Sequence, residues 1–248
     1  MNLIWPADIQ NREEWKTYNL SVPAQAYMDD TSFMGSNRED LQSSVNIANQ
    51  FYHLHDIFIN GKKCDLIVIN PSIPQALHNV SIGQDQTIVM ASTKEIRYLG
   101  IWISAKQSRK KWIQRLKSIV RDFLRICKRK TFGVGHLAYI INRVLVPKLL
   151  YASQLMTLTE YDWDVIFKPV LQWIKHQLKV AKSFPSAAIF HEGLTGLENP
   201  WHTYCANQVA VFTQLINGTD VASISTMIRL RQAQIAQLMT QPIWQLSR

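Results

Sequence analysis

Val22-Pro-Ala-Gln-Ala-Tyr27, Met28-Asp-Asp30 and Thr31-Ser-Phe-Met34, closed by Gly35, form the stretch whose reading decides the fold. Small and apolar residues on both sides of a short acidic break predict a strand, a tight turn and a returning strand. Pro23 stands near the strand start, where a missing N–H is tolerated. The apex of this hairpin then carries two adjacent carboxylates, Asp29 and Asp30. About 5 Å apart in a packed setting of effective dielectric near 20, they repel by roughly 3 kcal/mol, less where water reaches them. A hard divalent cation such as Mg²⁺ removes that repulsion by taking carboxylate oxygens. The same dipeptide also reads as a plain acidic turn, which Asp forms well.

Downstream, Ser36-Asn-Arg-Glu39 has capping-box spacing and opens an expected helix with Leu41, Val45, Ala48 and Phe51 on one face. Asp65-Leu-Ile-Val-Ile69 reads as a buried strand that Asn70-Pro71 ends. Gln86–Met90 and Arg97–Ile103 read as two further, adjacent strands, whereas residues 1–20, with Pro6 and two tryptophans, show no period and read as irregular. Beyond Ser104 the pattern turns helical over 107–130, 136–157 and 160–182, with breaks near Phe132-Gly-Val-Gly135 and Thr157-Leu-Thr159. Pro147 is expected to kink or divide the second of these helices. Residues 183–248 open on a Pro- and Gly-bearing loop and continue as one or two amphipathic helices. The expected class is α+β, with a partial antiparallel sheet and a helix over 1–103, a helical domain over 104–182 and a helical extension over 183–248.

An apolar share of 47% and a charged share of 18% are those of a globular chain. No apolar run approaches the ~20 residues of a membrane helix, and Met1–Pro6 lacks the flanks of a signal peptide. Cys64, Cys127 and Cys205 are odd in number and far apart, which fits neither a zinc site nor a disulfide framework. An intracellular setting, cytoplasmic or nuclear, is expected. His53-x-His55 and His191-Glu192 lack a third metal ligand at a working spacing. Gly133-Val-Gly135 lacks the lysine of a phosphate loop and reads as a connector. The Trp and Tyr residues of 151–173 read as core.

Charge is the most localised feature. The chain carries +9, and between Lys106 and Lys130 lie eleven basic residues against one acidic residue, Asp122; the rest holds 16 basic and 17 acidic residues. Advancing 100° per residue, Lys110, Lys117, Arg121, Arg125 and Lys128 fall within an arc of about 80°, while Ile113, Leu116, Val120, Phe123 and Cys127 lie opposite. One face packs and the other presents cations at a spacing suited to a phosphate backbone. A polyanionic partner is the simplest reason for such focusing.

Taken in order, Tyr27-Met-Asp-Asp30 on a hairpin, a helix, Ile59-Asn-Gly-Lys-Lys63-Cys64 before a strand, and Tyr98-Leu-Gly-Ile101 before basic helices resemble the palm and thumb of reverse transcriptases. The likeness is greatest to the enzymes of non-LTR retrotransposons and spans roughly residues 20–200. The resemblance implies RNA-templated DNA synthesis by nucleotidyl transfer on an RNA template and DNA primer duplex. It gives Asp29 and its neighbour Asp30 to a two-ion Mg²⁺ site, sets Tyr27 beneath the primer end, makes Lys63 the proton donor to the leaving pyrophosphate with Lys62 as a rival, and assigns Tyr98, Leu99 and Gly100 to the primer-grip strand. It also implies a further metal-binding Asp and a Gly-rich helix upstream. Asp8, two residues from Pro6, is the only Asp before Asp29, and Gly35 is the first glycine. The chain is therefore expected to be a catalytically incomplete fragment (a truncated element, split gene or incomplete gene model) whose upstream half would be supplied as a partner. The alternative is a non-catalytic, sequence-tolerant nucleic-acid binding module. A purely helical interaction protein would leave the charge focusing unexplained.

Overall fold

In a computed structural model of the chain, the structure describes residues 2–5, 16–19, 22–71, 73–106 and 108–239. The expectations placed on Pro6, Asp8, Trp15, Gln107 and residues 240–248 lie outside them. The fold is mixed α+β, divided into two compact units: Met1–Ala105 with Val211–Arg248, and Lys106–Ala210. Residues 183–248 are thus shared between the units. Among the described residues no helix is long and apolar enough to cross a membrane.

The first unit holds four antiparallel hairpins: β1 Asn2–Trp5 with β2 Lys16–Asn19, β3 Ala24–Tyr27 with β4 Asp30–Phe33, β5 Asn79–Ile82 with β6 Thr87–Met90, and β7 Ile96–Tyr98 with β8 Ile101–Ile103. Each is a separate two-stranded sheet, so the expected single partial sheet is not formed among the described residues, and the first twenty residues contain a hairpin where none was expected. Local turn geometry explains part of this. Leu99 (φ 48°) and Gly100 (φ 79°) both adopt left-handed backbone. Two such residues in succession make the turn whose twist matches antiparallel strands, so Arg97–Ile103 folds back on itself instead of running through. Asp65–Ile69 is no strand either. One parallel bridge joins Leu66 to Ala91, and Asp65 and Ile69 are exposed. β6 pairs with β5 along one edge, continued by Ala91 N–H to the His78 carbonyl at 2.9 Å, and the 65–69 run meets the other side only past the strand's end, where Ser92 N–H donates to the Leu66 carbonyl at 2.8 Å.

Helix α1, Arg38–Leu54, starts one residue later than its capping-box spacing suggested, with Asn37 as the cap. The Asn37 Oδ1 accepts from Asp40 N at 2.8 Å and its Nδ2 donates to the Asp40 carboxylate at 2.9 Å. The inner face of α1 is partly polar. Arg38 donates to the Asn79 carbonyl and Oδ1, both at 2.9 Å. Gln42 Nε2 donates to the Ser81 carbonyl at 2.9 Å while its Oε1 accepts from Ser81 N at 2.8 Å. Asn49 Oδ1 accepts from Gly83 N at 3.0 Å. Side chains four and seven residues apart on one helical face thereby serve as the missing neighbour of β5, satisfying an edge that would otherwise invite strand pairing. That arrangement buries Val45 but turns Phe51, expected inside, outward with Ile47 and Leu54.

The second unit is helical: α2 Arg109–Cys127, α3 Val134–Ile140, a π-helical segment Ile141–Leu145, α4 Val146–Ser153, α5 Glu160–Gln177, α6 Ser186–Ile189 and the first part of α7 Pro200–Ile216. α8, Val221–Ala236, belongs to the first unit, beside β1. Pro147 offers no N–H to the Arg143 carbonyl and its ring crowds that group. The chain answers with a wider π turn just ahead of it, so the helix is bent rather than cut. In that turn Asn142 donates to the Gly196 carbonyl at 2.8 Å and accepts from Glu198 N at 3.2 Å, fixing the loop after α6. The core joins Leu116 and Val120 of α2, Leu137, Ile141 and Leu149, and Trp163, Phe167 and Ile174 of α5. Trp163 is buried and Trp173 half-buried against Phe123 and Phe132, but Tyr151 and Tyr161, expected in the core, are exposed.

Thr159 caps α5 in a reciprocal capping box with Asp162, and Arg109 of α2 donates to the same carboxylate. Burial works to raise the Asp162 carboxyl, but hydrogen bonds from the Thr159 N–H and hydroxyl and from Arg109 outweigh it and hold it below the usual range. A carboxyl with a folded pKa below its unfolded value stabilises fully above about pH 4 and loses that contribution as pH falls through the folded value. Asp162→Asn is therefore expected to cost about 2 kcal/mol at neutral pH and to flatten the acid limb of the stability curve, read from urea midpoints across the acid range.

Candidate functional site

Two regions bear chemistry. The first is the β3–β4 hairpin. Tyr27 pairs with Asp30, so the turn is Met28-Asp29 and Asp30 opens the returning strand instead of sharing the apex. Met28 takes φ 55°, a left-handed conformation that costs a non-glycine residue about 1–2 kcal/mol. All four residues of β3 are exposed, Tyr27 at 59%, which overturns the packed setting expected for this strand. With both carboxylates exposed, the repulsion between them falls below about 1 kcal/mol in a medium near the dielectric of water. The turn accordingly stands without a cation. Among the described residues neither carboxylate has a hydrogen-bond or ion-pair partner.

Two side-chain contacts hold the hairpin from behind. The Tyr98 hydroxyl of β7 donates to Ser32 Oγ at 3.3 Å, and Thr31 Oγ1 lies 3.4 Å from the Tyr52 hydroxyl of α1. Tyr98, Leu99 and Gly100, expected along one strand, instead form the end and turn of the β7–β8 hairpin. The structure thus joins the Asp-bearing hairpin to Tyr98, 66 residues away in the chain.

Lys63 is placed differently. It ends a 3₁₀ turn, Gly61–Lys63, with its N–H on the Asn60 carbonyl at 2.9 Å and its side chain exposed. Among the described residues no hydrogen bond or ion pair links it to Asp29 or Asp30. Its neighbour Lys62 acts on Asp85 of the β5–β6 turn, whose carboxyl is held low first by the Thr87 hydroxyl. The turn is anchored by Gly61, which is buried against β6: a Cβ there would stand 2.5 Å from Thr87 Cβ. The nearest atom is the Thr87 Cβ itself, which no rotamer moves, so Gly61→Ala is expected to cost about 1–3 kcal/mol, measured as a drop in urea midpoint that Thr87→Gly in the same chain partly relieves. The adjacent Cys64 thiol is pushed up by burial and by Asp65, away from a nucleophile's range.

The resemblance implies a two-ion magnesium site, which sets a demand on the donors present. Mg²⁺ takes oxygen ligands in near-octahedral geometry and is held in such sites by one or two carboxylates with phosphate and water. Asp29 and Asp30 suit one hydrated ion. Among the described residues no group of three or more His, Cys, Asp or Glu side chains stands together at metal-holding distance. These residues alone do not fit a two-ion site.

The second region is the cationic face of α2. Trp112, Leu116, Val120 and Cys127 are buried with Ile113 and Phe123 half-buried, which places the expected apolar face inward and adds Trp112 to it. Lys110, Arg121, Arg125 and Lys128 are exposed and Lys117 is half-buried. Lys128 stands just past the helix end but keeps helical backbone (φ −54°, ψ −33°), so it continues the row. Arg125 Nη2 lies 3.3 Å from Asp122 Oδ1, so its charge is shared. The unit bearing this face holds 17 of the 27 basic and 6 of the 18 acidic residues, a net of +11.

Part of the row is not a flat surface. Lys117, Arg121 and Gln114 of α2 face Val165 and Pro169 of α5 across an open groove of about 570 Å³ floored by Val120 and Ile166. The periodicity of α2 alone did not reveal this concavity. It depends on how α5, which runs unbroken through Pro169, packs beside α2, and no local pattern states that. No protein-family model, curated protein or solved structure matches this chain.

Proposed function

We propose that this chain is a palm and thumb portion of a reverse transcriptase of the non-LTR retrotransposon type, an RNA-directed DNA polymerase element that grips an RNA template and DNA primer duplex. The observation that carries this reading is the Tyr98–Ser32 hydrogen bond at 3.3 Å, which brings the Tyr-Leu-Gly signature against the hairpin that presents Asp29. In this reading the α2 row holds backbone phosphate and Asp29 contributes to a metal site that these residues do not complete by themselves.

Primer extension with Mg²⁺ on a primed RNA template tests it. The chain alone is expected to bind the primed hybrid and to add no nucleotide. Incorporation abolished by Asp29→Asn would overturn the incompleteness and keep the polymerase assignment; failure to bind the hybrid at low salt would remove both. The second reading, a sequence-tolerant nucleic-acid binding module without chemistry, is favoured by the +11 charge of the helical unit. It predicts equal affinity for blunt duplex and recessed primer end, whereas a polymerase element prefers the recessed end.

A further inference from the structure

We propose that the groove between α2 and α5 is a single-nucleotide subsite, taking the phosphate of an unpaired nucleotide on Lys117 and Arg121 and its base against Val165 and Pro169. The proposal rests on the nucleic-acid reading above and adds to it a preference for single strands at this place. Lys117 and Arg121 stand four residues apart on one helical face, and neither has a hydrogen-bond or ion-pair partner among the described residues. Lys117 is half-buried and lines the groove beside the apolar floor. Gln114, one turn earlier, leaves its amide open to a ligand as well.

The facing wall has the opposite chemistry. Pro169 sets its ring on that wall within α5, beside Val165. Val165 is half-buried and Pro169 exposed, giving an apolar surface. The groove therefore suits a ligand that is anionic at one end and flat and apolar at the other. A nucleotide has both, in phosphate and base face. Inorganic phosphate uses only the cations. A duplex keeps its bases stacked and paired, so it cannot present one to Pro169; single strands leave base faces free to pack on protein. The volume of about 570 Å³ falls in the range of small-ligand sites.

The test measures binding of the full chain to a fluorescent oligodeoxyadenylate and to the matching duplex, with adenosine monophosphate and inorganic phosphate as competitors. Val165→Trp and, from the other wall, Gln114→Trp fill the groove without removing a cation. Each is expected to weaken the single strand about tenfold and the duplex less than about twofold. Adenosine monophosphate is expected to displace the single strand at concentrations where inorganic phosphate does not. Equal loss on both nucleic acids, no loss from either tryptophan, or equal competition by phosphate would overturn the proposal while leaving the duplex-binding reading in place. Binding of neither nucleic acid by the unaltered chain would bring down both.

Discussion

Raising the salt from about 50 to about 200 mM is expected to weaken duplex binding by this chain about 150-fold. Each phosphate neutralised releases counterions and contributes about 0.9 to the log–log slope. The sequence row of Lys110, Lys117, Arg121, Arg125 and Lys128 would give a slope of roughly −4.5 if all five cations met phosphate. The structure lowers that figure. Arg125 is already engaged by Asp122 at 3.3 Å, while the other four have no such partner among the described residues, so the expected slope is about −3.6. Asp122→Asn frees Arg125 and should steepen the slope by about 0.9 while tightening binding at low salt. Changing Lys110, Lys117, Arg121 and Lys128 together to Gln should flatten it close to zero. Fluorescence anisotropy over a salt series reads all three. A slope shallower than about −1 in the unaltered chain would mean that α2 does not track a phosphate backbone.

The parts of the fold that the sequence made legible are those where one period dominates. Leu116, Val120 and Cys127 repeat at helical spacing opposite a run of cations, and they are buried as that spacing requires. The hairpin around Met28-Asp29 was legible because acidic turn residues interrupt two short strand-like runs. Two kinds of information were not. Side chains that hydrogen-bond a strand edge leave no hydrophobic signature: Arg38, Gln42 and Asn49 look like solvated residues, yet they form the packed face of α1 and displace Phe51 to the outside. Pairing partners are equally hidden. The run 65–69 is apolar enough for a buried strand, but whether an apolar run becomes one depends on how far it lies along an edge elsewhere, and it bridges only Ala91, just past β6. At the candidate site the same limit applies, since nothing in local sequence states that Tyr98 meets Ser32.

Phe167→Ala is expected to destabilise the helical unit by about 3–5 kcal/mol, whereas Phe51→Ala should change stability by less than about 0.5 kcal/mol. The two substitutions delete the same atoms from the middle or end of a long helix, so propensity barely distinguishes them. Their surroundings do. Phe167 is 1% exposed within the cluster that includes Leu149, Trp163 and Ile189, with the Phe190 ring centroid at 6.4 Å, so its removal leaves a cavity that close-packed neighbours cannot collapse into. Phe51 is 56% exposed, with the Tyr52 ring centroid at 5.8 Å and the His55 ring centroid at 4.5 Å. Its ring transfers little area from water on folding, and Ala raises helix propensity slightly. Urea midpoints for the two variants, with amide exchange in α5 as the local readout, measure the contrast. Equal losses would mean that the Ile47–Phe51–Leu54 face of α1 is covered in solution; a small loss at Phe167 would mean that the α2–α5 core is loosely packed, and the rigid cationic row it supports would lose its physical basis.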